Sequence, residues 1–383
     1  MNTILVCLSL ATVVAEELPR GQVIERVVAN GDASQSYALY LPSNYTPIRS
    51  WPVLYCLDPG ARGPTPVTRF SAAAEKAGFI LVGSNNSQNG PIGPVKEALK
   101  WMLADTHERL AIDETRIYAA GFSGGARLAL SWAANGGVAG VIACGAGFGG
   151  GRPPKDLPFR LYATAGVDDF NYDEMYLTSL ELAKRGIPHR FVEFEGGHEW
   201  LPANLTGEAL NFIQGQLEPR SAQPSKEQER LAARYDSLAA IARSADGRST
   251  IEKLRKEAAY TGDSPERRIA RRVIAVTYIT QIETGRELMR GRQYKEAAEL
   301  YENAAVVEPE NGGAWYSLAV AQAAAGNNRR ALEALENAAT HGFRNADRME
   351  GEPLLKPVRG DARYQAALQK MLQSPLPRVL QHQ

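Results

Sequence analysis

The sequence predicts two structural classes in one chain: an α/β domain on a mostly parallel sheet with helices on both faces, then an all-helical module. Three observations carry this. Short apolar runs alternate with helix-period stripes as far as Leu217. The bridge Glu218-Pro219-Arg220-Ser221-Ala222-Gln223-Pro224-Ser225 has the Pro and Ser content of an interdomain linker. Beyond it the chain reads as helix almost without interruption, and Ala331 repeats the context of Ala297 after 34 residues. Strand–helix alternation places helices over both faces of a parallel sheet, because each crossover must return to the same edge.

The opening runs Val23–Val28 and Tyr37–Leu41 alternate apolar and polar positions, the pattern of an antiparallel pair. Pro52–Leu57, Phe79–Val82, Arg116–Ala120, Val138–Cys144, Phe159–Thr164 and Arg190–Glu193 are short and apolar, as strands covered on both faces must be. Between them, Val95, Ala98, Leu99, Met102 and Leu103 form one helical stripe, with Pro94 near its first turn. Ala126–Ala134, Glu174–Lys184 and Leu205–Leu217 are the later helices.

Composition narrows the function. Lys plus Arg and Asp plus Glu each number 43, so the net charge is zero and the chain lacks the basic footprint of a nucleic-acid binder. No apolar run reaches the roughly 18 residues of a transmembrane helix. Ile4 to Ala15 is almost wholly apolar, and Val13-Val14-Ala15 before Glu16-Glu17 has the character of a signal-peptidase site, although only the α-amino group is cationic ahead of it. Residues 1–15 are therefore expected to be a signal peptide and the protein to be exported. Three cysteines, Cys7, Cys56 and Cys144, are too few for a disulfide framework or a cysteine-based zinc cluster. There is no phosphate-cradling glycine fingerprint and no metal-ligand cluster, so no cofactor or metal is expected.

In the helical part, Tyr294, Ala297, Tyr301, Ala304 and Pro309 are followed by Trp315, Leu318 and Ala319, then Gly326, Ala331, Leu335 and Ala338. Small residues at helix crossings permit close approach, and aromatics fill the gaps between turns. The period and residue types resemble tetratricopeptide repeats, two of them over 278–345. Residues 219–277 then read as linker and helices, and 346–383 as a capping helix, Val358–Leu372, with a tail. The resemblance implies a concave surface for a peptide or protein partner. Arg267, Arg268, Arg271 and Arg272 cluster on one predicted helix and read as a solvated face.

Chemistry is concentrated in residues 16–218. The run Arg116–Ala120 leads into Gly121-Phe122-Ser123-Gly124-Gly125 and then a helix-forming stretch. A Gly-x-Ser-x-Gly turn between strand and helix holds a serine hydroxyl proud of the sheet, and the glycines are required because the turn is too sharp for side chains. A hydroxyl needs a base. Of His107, His189, His198, His341 and His382, the last two lie in the helical tail, His107 on a helix and His189 at the start of a strand; His198 alone sits in the loop that leaves the last strand, in Glu195-Gly196-Gly197-His198-Glu199-Trp200. An acid that orients the imidazole should leave the strand Phe159–Thr164, where Asp168 and Asp169 both qualify by location. One of them should face the imidazole and the other cap the next helix.

The order Ser123, Asp, His198 is that of α/β-hydrolases. Residues from about Val23 to Leu217 resemble α/β-hydrolases of the esterase and dienelactone-hydrolase type, including polyhydroxybutyrate-depolymerase-like esterases. The resemblance implies the acid in a Gly-x-x-Asp turn, which selects Asp169. It implies one oxyanion donor at Gly124 and another in the loop Leu57–Gly63. Many relatives have His-Gly where this chain has Asp58-Pro59. Pro59 lacks an N–H, leaving Gly60 or Ala61 to donate. The family's strand order would set Cys56 and Cys144 two strand spacings apart, as buried thiols out of disulfide reach. The stretch Gly145–Pro154 is too short for a lid, so the cleft should be open. Asn85–Gly90 lies on the same rim as a polar loop.

These expectations add up to a serine hydrolase acting on a small acyl ester. A peptidase or thioesterase on the same three residues is the first alternative. An interaction protein with a vestigial hydrolase domain is the second.

Overall fold

The computed structural model describes residues 18–149, 153–219, 225–242, 247–259 and 264–373. The expected signal segment with Cys7, residues 150–152 of the expected lid-free stretch, residues 220–224 of the linker and the tail from 374 lie outside the described residues. The chain divides into two compact units: Met1–Thr164 with Glu181–Phe194 and Glu199–Ser221, and Ala165–Leu180 with Glu195–His198 and Ala222–Gln383. Composition alone suggested one cut near Glu218. The second unit also takes in two short segments from the α/β half of the sequence.

The first unit is built on an eight-stranded sheet of order β1-β2-β4-β3-β5-β6-β7-β8. β1 (Val23–Val28) and β2 (Ser36–Tyr40) form the expected antiparallel pair, and β2 runs antiparallel to β4 (Ile80–Ser84). From there β4, β3 (Trp51–Leu57), β5 (Ile112–Phe122), β6 (Gly140–Cys144) and β7 (Arg160–Gly166) are parallel neighbours, with β8 (His189–Phe194) beside β7. The mostly parallel sheet and this strand order agree with the α/β-hydrolase architecture that the resemblance implies.

Alternation assigns the faces. Leu54, Cys56, Tyr118, Ala120, Ile142 and Cys144 share a core with α1 (Pro64–Ala77) and α5 (Ala203–Ile213). Tyr55, one residue out of phase, packs in a tilted contact on Trp132 of α3 (Gly124–Ala134) and bonds Thr106 of α2 (Ile92–Arg109) at 2.8 Å. A period of two therefore buries both faces. Helix α1 is not among the helices expected from periodicity. Pro64 and Pro66 suggest a turn, yet proline is well tolerated in a first helical turn, and Val67, Phe70 and Ala74 then supply its buried stripe.

β3 and β6 flank β5, with Cys56 opposite Ala120 and Cys144 opposite Phe122. Neither cysteine is in a disulfide and both are buried. Burial, with the neighbouring Cys144, raises the Cys56 thiol far above its ordinary range. Non-reducing peptide mapping should find no Cys56–Cys144 bridge, and alkylation of the native protein should spare both until denaturant is added. A bridged peptide would overturn the strand order.

The second unit holds α6 (Lys226–Ala242), α7 (Gly247–Ala259), α8 (Pro265–Arg290), α9 (Tyr294–Val307), α10 (Gly312–Ala324), α11 (Asn328–Thr340), α12 (Ala346–Gly351) and α13 (Ala362–Gln373), with most of α4 (Tyr172–Lys184). Ser264 caps α8 by accepting the Arg267 N–H, and Pro265 opens its first turn. α9 and α11 begin at Tyr294 and Asn328, 34 residues apart. Ala297, Tyr301, Ala304, Ala331, Leu335 and Ala338 are all buried, as the repeat pattern requires. At Gly285 a Cβ would press into the Tyr301 ring, so this glycine sets how closely α8 and α9 approach. Tyr278 lies in the middle of α8, so the boundary expected between 277 and 278 falls inside a continuous helix.

The arginine cluster on α8 corrects a sequence expectation. Arg272 is only 6% exposed, Arg271 pairs with Asp168, Arg268 with Glu195, and Arg267 donates to the Ala258 carbonyl. These side chains bind protein groups and do not form a purely solvated face. Periodicity reports which face of a helix is polar, but not what meets that face. Among the described residues, no helix is long and apolar enough to cross a membrane.

Candidate active site

Ser123 sits between β5 and α3 with φ 52° and ψ −121°, a left-handed conformation that costs a non-glycine residue free energy. Its N–H donates to the Cys144 carbonyl at 2.9 Å, fixing the turn to the neighbouring strand. A Cβ on Gly121 would overlap the Gly125 carbonyl, and one on Gly125 would overlap the Leu57 carbonyl. Both glycines of the motif are thus sterically required. Gly124 is the first residue of α3, where a helix leaves its amides unpartnered by itself and carries positive potential.

Asp169 and His198 lie together in the second unit. A Cβ on Gly166, at the end of β7, would overlap the Gly196 and Gly197 carbonyls, and the Asp168 N–H donates to the Gly196 carbonyl at 3.0 Å. The segments leaving β7 and β8 therefore touch backbone to backbone. Asp169 is fully buried, and its Oδ1 lies 2.9 Å from His198 Nδ1 and accepts the Asn171 N–H at 2.8 Å. An N–H on Nδ1 facing the carboxylate leaves the Nε2 lone pair as the basic site. The Phe170 ring packs on the imidazole with centroids 4.1 Å apart.

The geometry separates the two adjacent acids. Asp169 takes the imidazole, while Asp168 is 45% exposed and binds Arg271 at 2.7 Å. Asp168 was expected to cap the next helix if it did not face the histidine. Instead the turn into α4 is closed by Asp169, through the Asn171 N–H on its side chain and the Tyr172 N–H on its carbonyl.

A cleft of about 270 Å³ in the first unit adjoins Gly124 and Gly125, with Asp58, Pro59, Asn89 and Leu128 among its walls. The expected donors Gly60 and Ala61 are engaged elsewhere: the Gly60 N–H goes to Asp58 Oδ1 at 2.9 Å and the Ala61 N–H to the Asp58 carbonyl at 3.1 Å. A tight turn around an aspartate consumes its own amides. The Asn89 side chain abuts Gly124 through its Oδ1, an acceptor, since a Cβ on Gly124 would collide with that oxygen, and the Asn89 N–H holds the Pro59 carbonyl at 2.8 Å.

Asp58 and Trp200 were not singled out from sequence as a pair. Asp58, 1% exposed, accepts Arg62 Nε at 2.8 Å and Trp200 Nε1 at 2.9 Å. Trp200 also packs against Phe70 and Phe122. This bond anchors the chain two residues beyond His198, from a partner 142 positions away. Asp58 thus has a structural partner of its own.

No family model matches the chain, and no curated protein does. Solved structures do resemble it. A ferulic acid esterase is 17% identical over 51% of this chain and 98% of its own, with a TM-score of 0.43. An S-formylglutathione hydrolase from Staphylococcus aureus is 14% identical over 52% of this chain and 99% of its own, at 0.41. An esterase from Pyrobaculum calidifontis is 15% identical over 51% of this chain and 86% of its own, also at 0.41.

Proposed function

We propose that the protein is a serine hydrolase that cleaves carboxylic esters through Ser123, His198 and Asp169. The observation that carries this reading is the buried Asp169 carboxylate on the Nδ1 side of His198, together with the left-handed Ser123 at a glycine-bounded strand–helix turn.

The chemistry then balances as ester plus water giving acid plus alcohol. Ser123 Oγ attacks the acyl carbon while His198 Nε2 takes its proton. The oxyanion that forms is held by the Gly124 N–H at the start of α3. The imidazolium returns the proton to the leaving alkoxide, which departs as alcohol. Water, deprotonated by the same nitrogen, attacks the acyl-enzyme and frees the acid and the serine. Asp169 holds the tautomer and steadies the imidazolium without itself taking the proton.

The second oxyanion donor is proposed to come from the backbone of the 58–63 loop, whose Gly60 and Ala61 amides would have to leave Asp58 to serve it.

The buried small residues of α9 and α11 and their 34-residue offset support tetratricopeptide-type pairs that bind an extended peptide. Export of the mature chain from residue 16 remains part of the proposal. Fluorophosphonate labelling followed by turnover on matched ester, thioester and peptide substrates tests the reaction class. Labelling at Ser123 with turnover of the ester alone is the expected result. Preference for thioester or peptide would select the alternative chemistry on the same residues.

A further inference from the structure

We infer that α8 of the helical module is a positioning element for the acid–base pair, with Arg272 as its central residue. The inference rests on the proposed roles of Asp169 and His198. Arg272 projects from α8 into the segment that carries Asp169. Its Nη1 donates to the Val167 carbonyl at 2.9 Å, two residues before Asp169. Its Nη2 donates to Asp173 Oδ1 at 3.2 Å, four residues after it. Nε stands 2.6 Å from Asp173 Oδ2 as an ion pair, although the N–H does not point along that line. The guanidinium also lies over the Tyr172 ring, 4.3 Å from its centroid.

One buried guanidinium thus grips both sides of the acid turn. Arg272 and Asp173 are 6% and 3% exposed, so the pair is shielded from water and its geometry is fixed. The same helix repeats the contact at its exposed margin. Arg271 binds Asp168 at 2.7 Å, and Arg268 approaches Glu195, three residues before His198, at 3.5 Å. Successive arginines of α8 therefore reach both the acid-bearing and the histidine-bearing segments. Burial pushes the Asp173 carboxyl up to about 6, with Arg272 opposing and Asp236 adding to the rise, so at neutral pH Asp173 is the anion that Arg272 needs.

Neither Arg272 nor Asp173 has a role in the reaction steps above. Their effect passes through Asp169. A carboxylate displaced by a fraction of an ångström loses its hold on the imidazole tautomer, which lowers turnover without altering substrate binding.

The test uses the full chain and p-nitrophenyl acetate. Arg272→Gln should reduce kcat at least tenfold with KM within twofold, and Arg272→Lys should recover part of the loss because it keeps the charge but not the fork. In an Asp169→Asn background, Arg272→Gln should cost no more than twofold further, since the carboxylate it positions is gone. A role in global folding alone would give equal losses in both backgrounds and no KM–kcat split, and either result overturns the inference. If Arg272→Gln fails to fold, Arg271→Gln carries the test, because that partly exposed pair holds the same turn; an unchanged kcat there also overturns it. Ser123→Ala separates the two levels. An inactive Ser123→Ala with fully active Arg272 variants refutes the positioning role alone, whereas an active Ser123→Ala refutes the underlying mechanism.

Discussion

Ser123→Ala should abolish ester turnover and fluorophosphonate labelling while leaving the melting curve unchanged. The rate should fall by about 10⁴-fold or more, the residue being what the oxyanion donors and substrate binding supply without a nucleophile. Stability should hold because alanine inherits the same backbone at φ 52° that serine already tolerates. Ser123→Gly offers a finer check. It should be equally inactive, yet more stable by roughly 1 kcal/mol, since glycine adopts a left-handed φ without the Cβ clash. Normal turnover in Ser123→Ala would end the serine mechanism.

Asp169→Asn should lower kcat by about 10⁴-fold, the loss known for an amide at this role. An asparagine amide can donate to Nδ1 and so stabilise the tautomer that carries its proton on Nε2, where the base is needed. Asp168→Asn breaks the half-exposed ion pair with Arg271 and should cost severalfold, far less than Asp169→Asn. Steady-state kinetics on a p-nitrophenyl ester measure both. A reversed ranking would move the acid to Asp168, and two small losses would place it outside this turn.

The contrast between these aspartates marks where location in the sequence alone stops being informative. Gly121, Ser123 and Gly125 are legible because their chemistry and their steric need lie within five residues. His198 is legible because it is the one histidine in the loop that leaves the last strand. Asp168 and Asp169 are equal candidates by location, and only the resemblance, through its Gly-x-x-Asp turn, selects Asp169; in the structure they are separated by a backbone turn closed by Gly166 and Asn171. The occupied amides of Gly60 and Ala61 are invisible for a related reason: the Asp58 side chain and carbonyl that accept them are set by local folding. Strand order and the burial of Cys56 and Cys144 follow from alternation plus family resemblance. Helix α1 does not, because Pro64 and Pro66 are equally at home in a turn. The arginines of α8 escape entirely. Arg272 and Asp173 are 99 positions apart, and nothing in either neighbourhood names the other.

That separation has a consequence for biosynthesis. All three proposed reacting residues are translated before α8 exists, so a nascent chain ending near residue 220 already contains Ser123, Asp169 and His198. It lacks the guanidinium that holds the acid turn. Competence is then gained late, when Arg272 has left the ribosome and α8 has formed, so an incomplete translation product should carry the chemistry but not the rate. In that sense α8, made after the acid turn that it holds, would time the onset of the proposed activity.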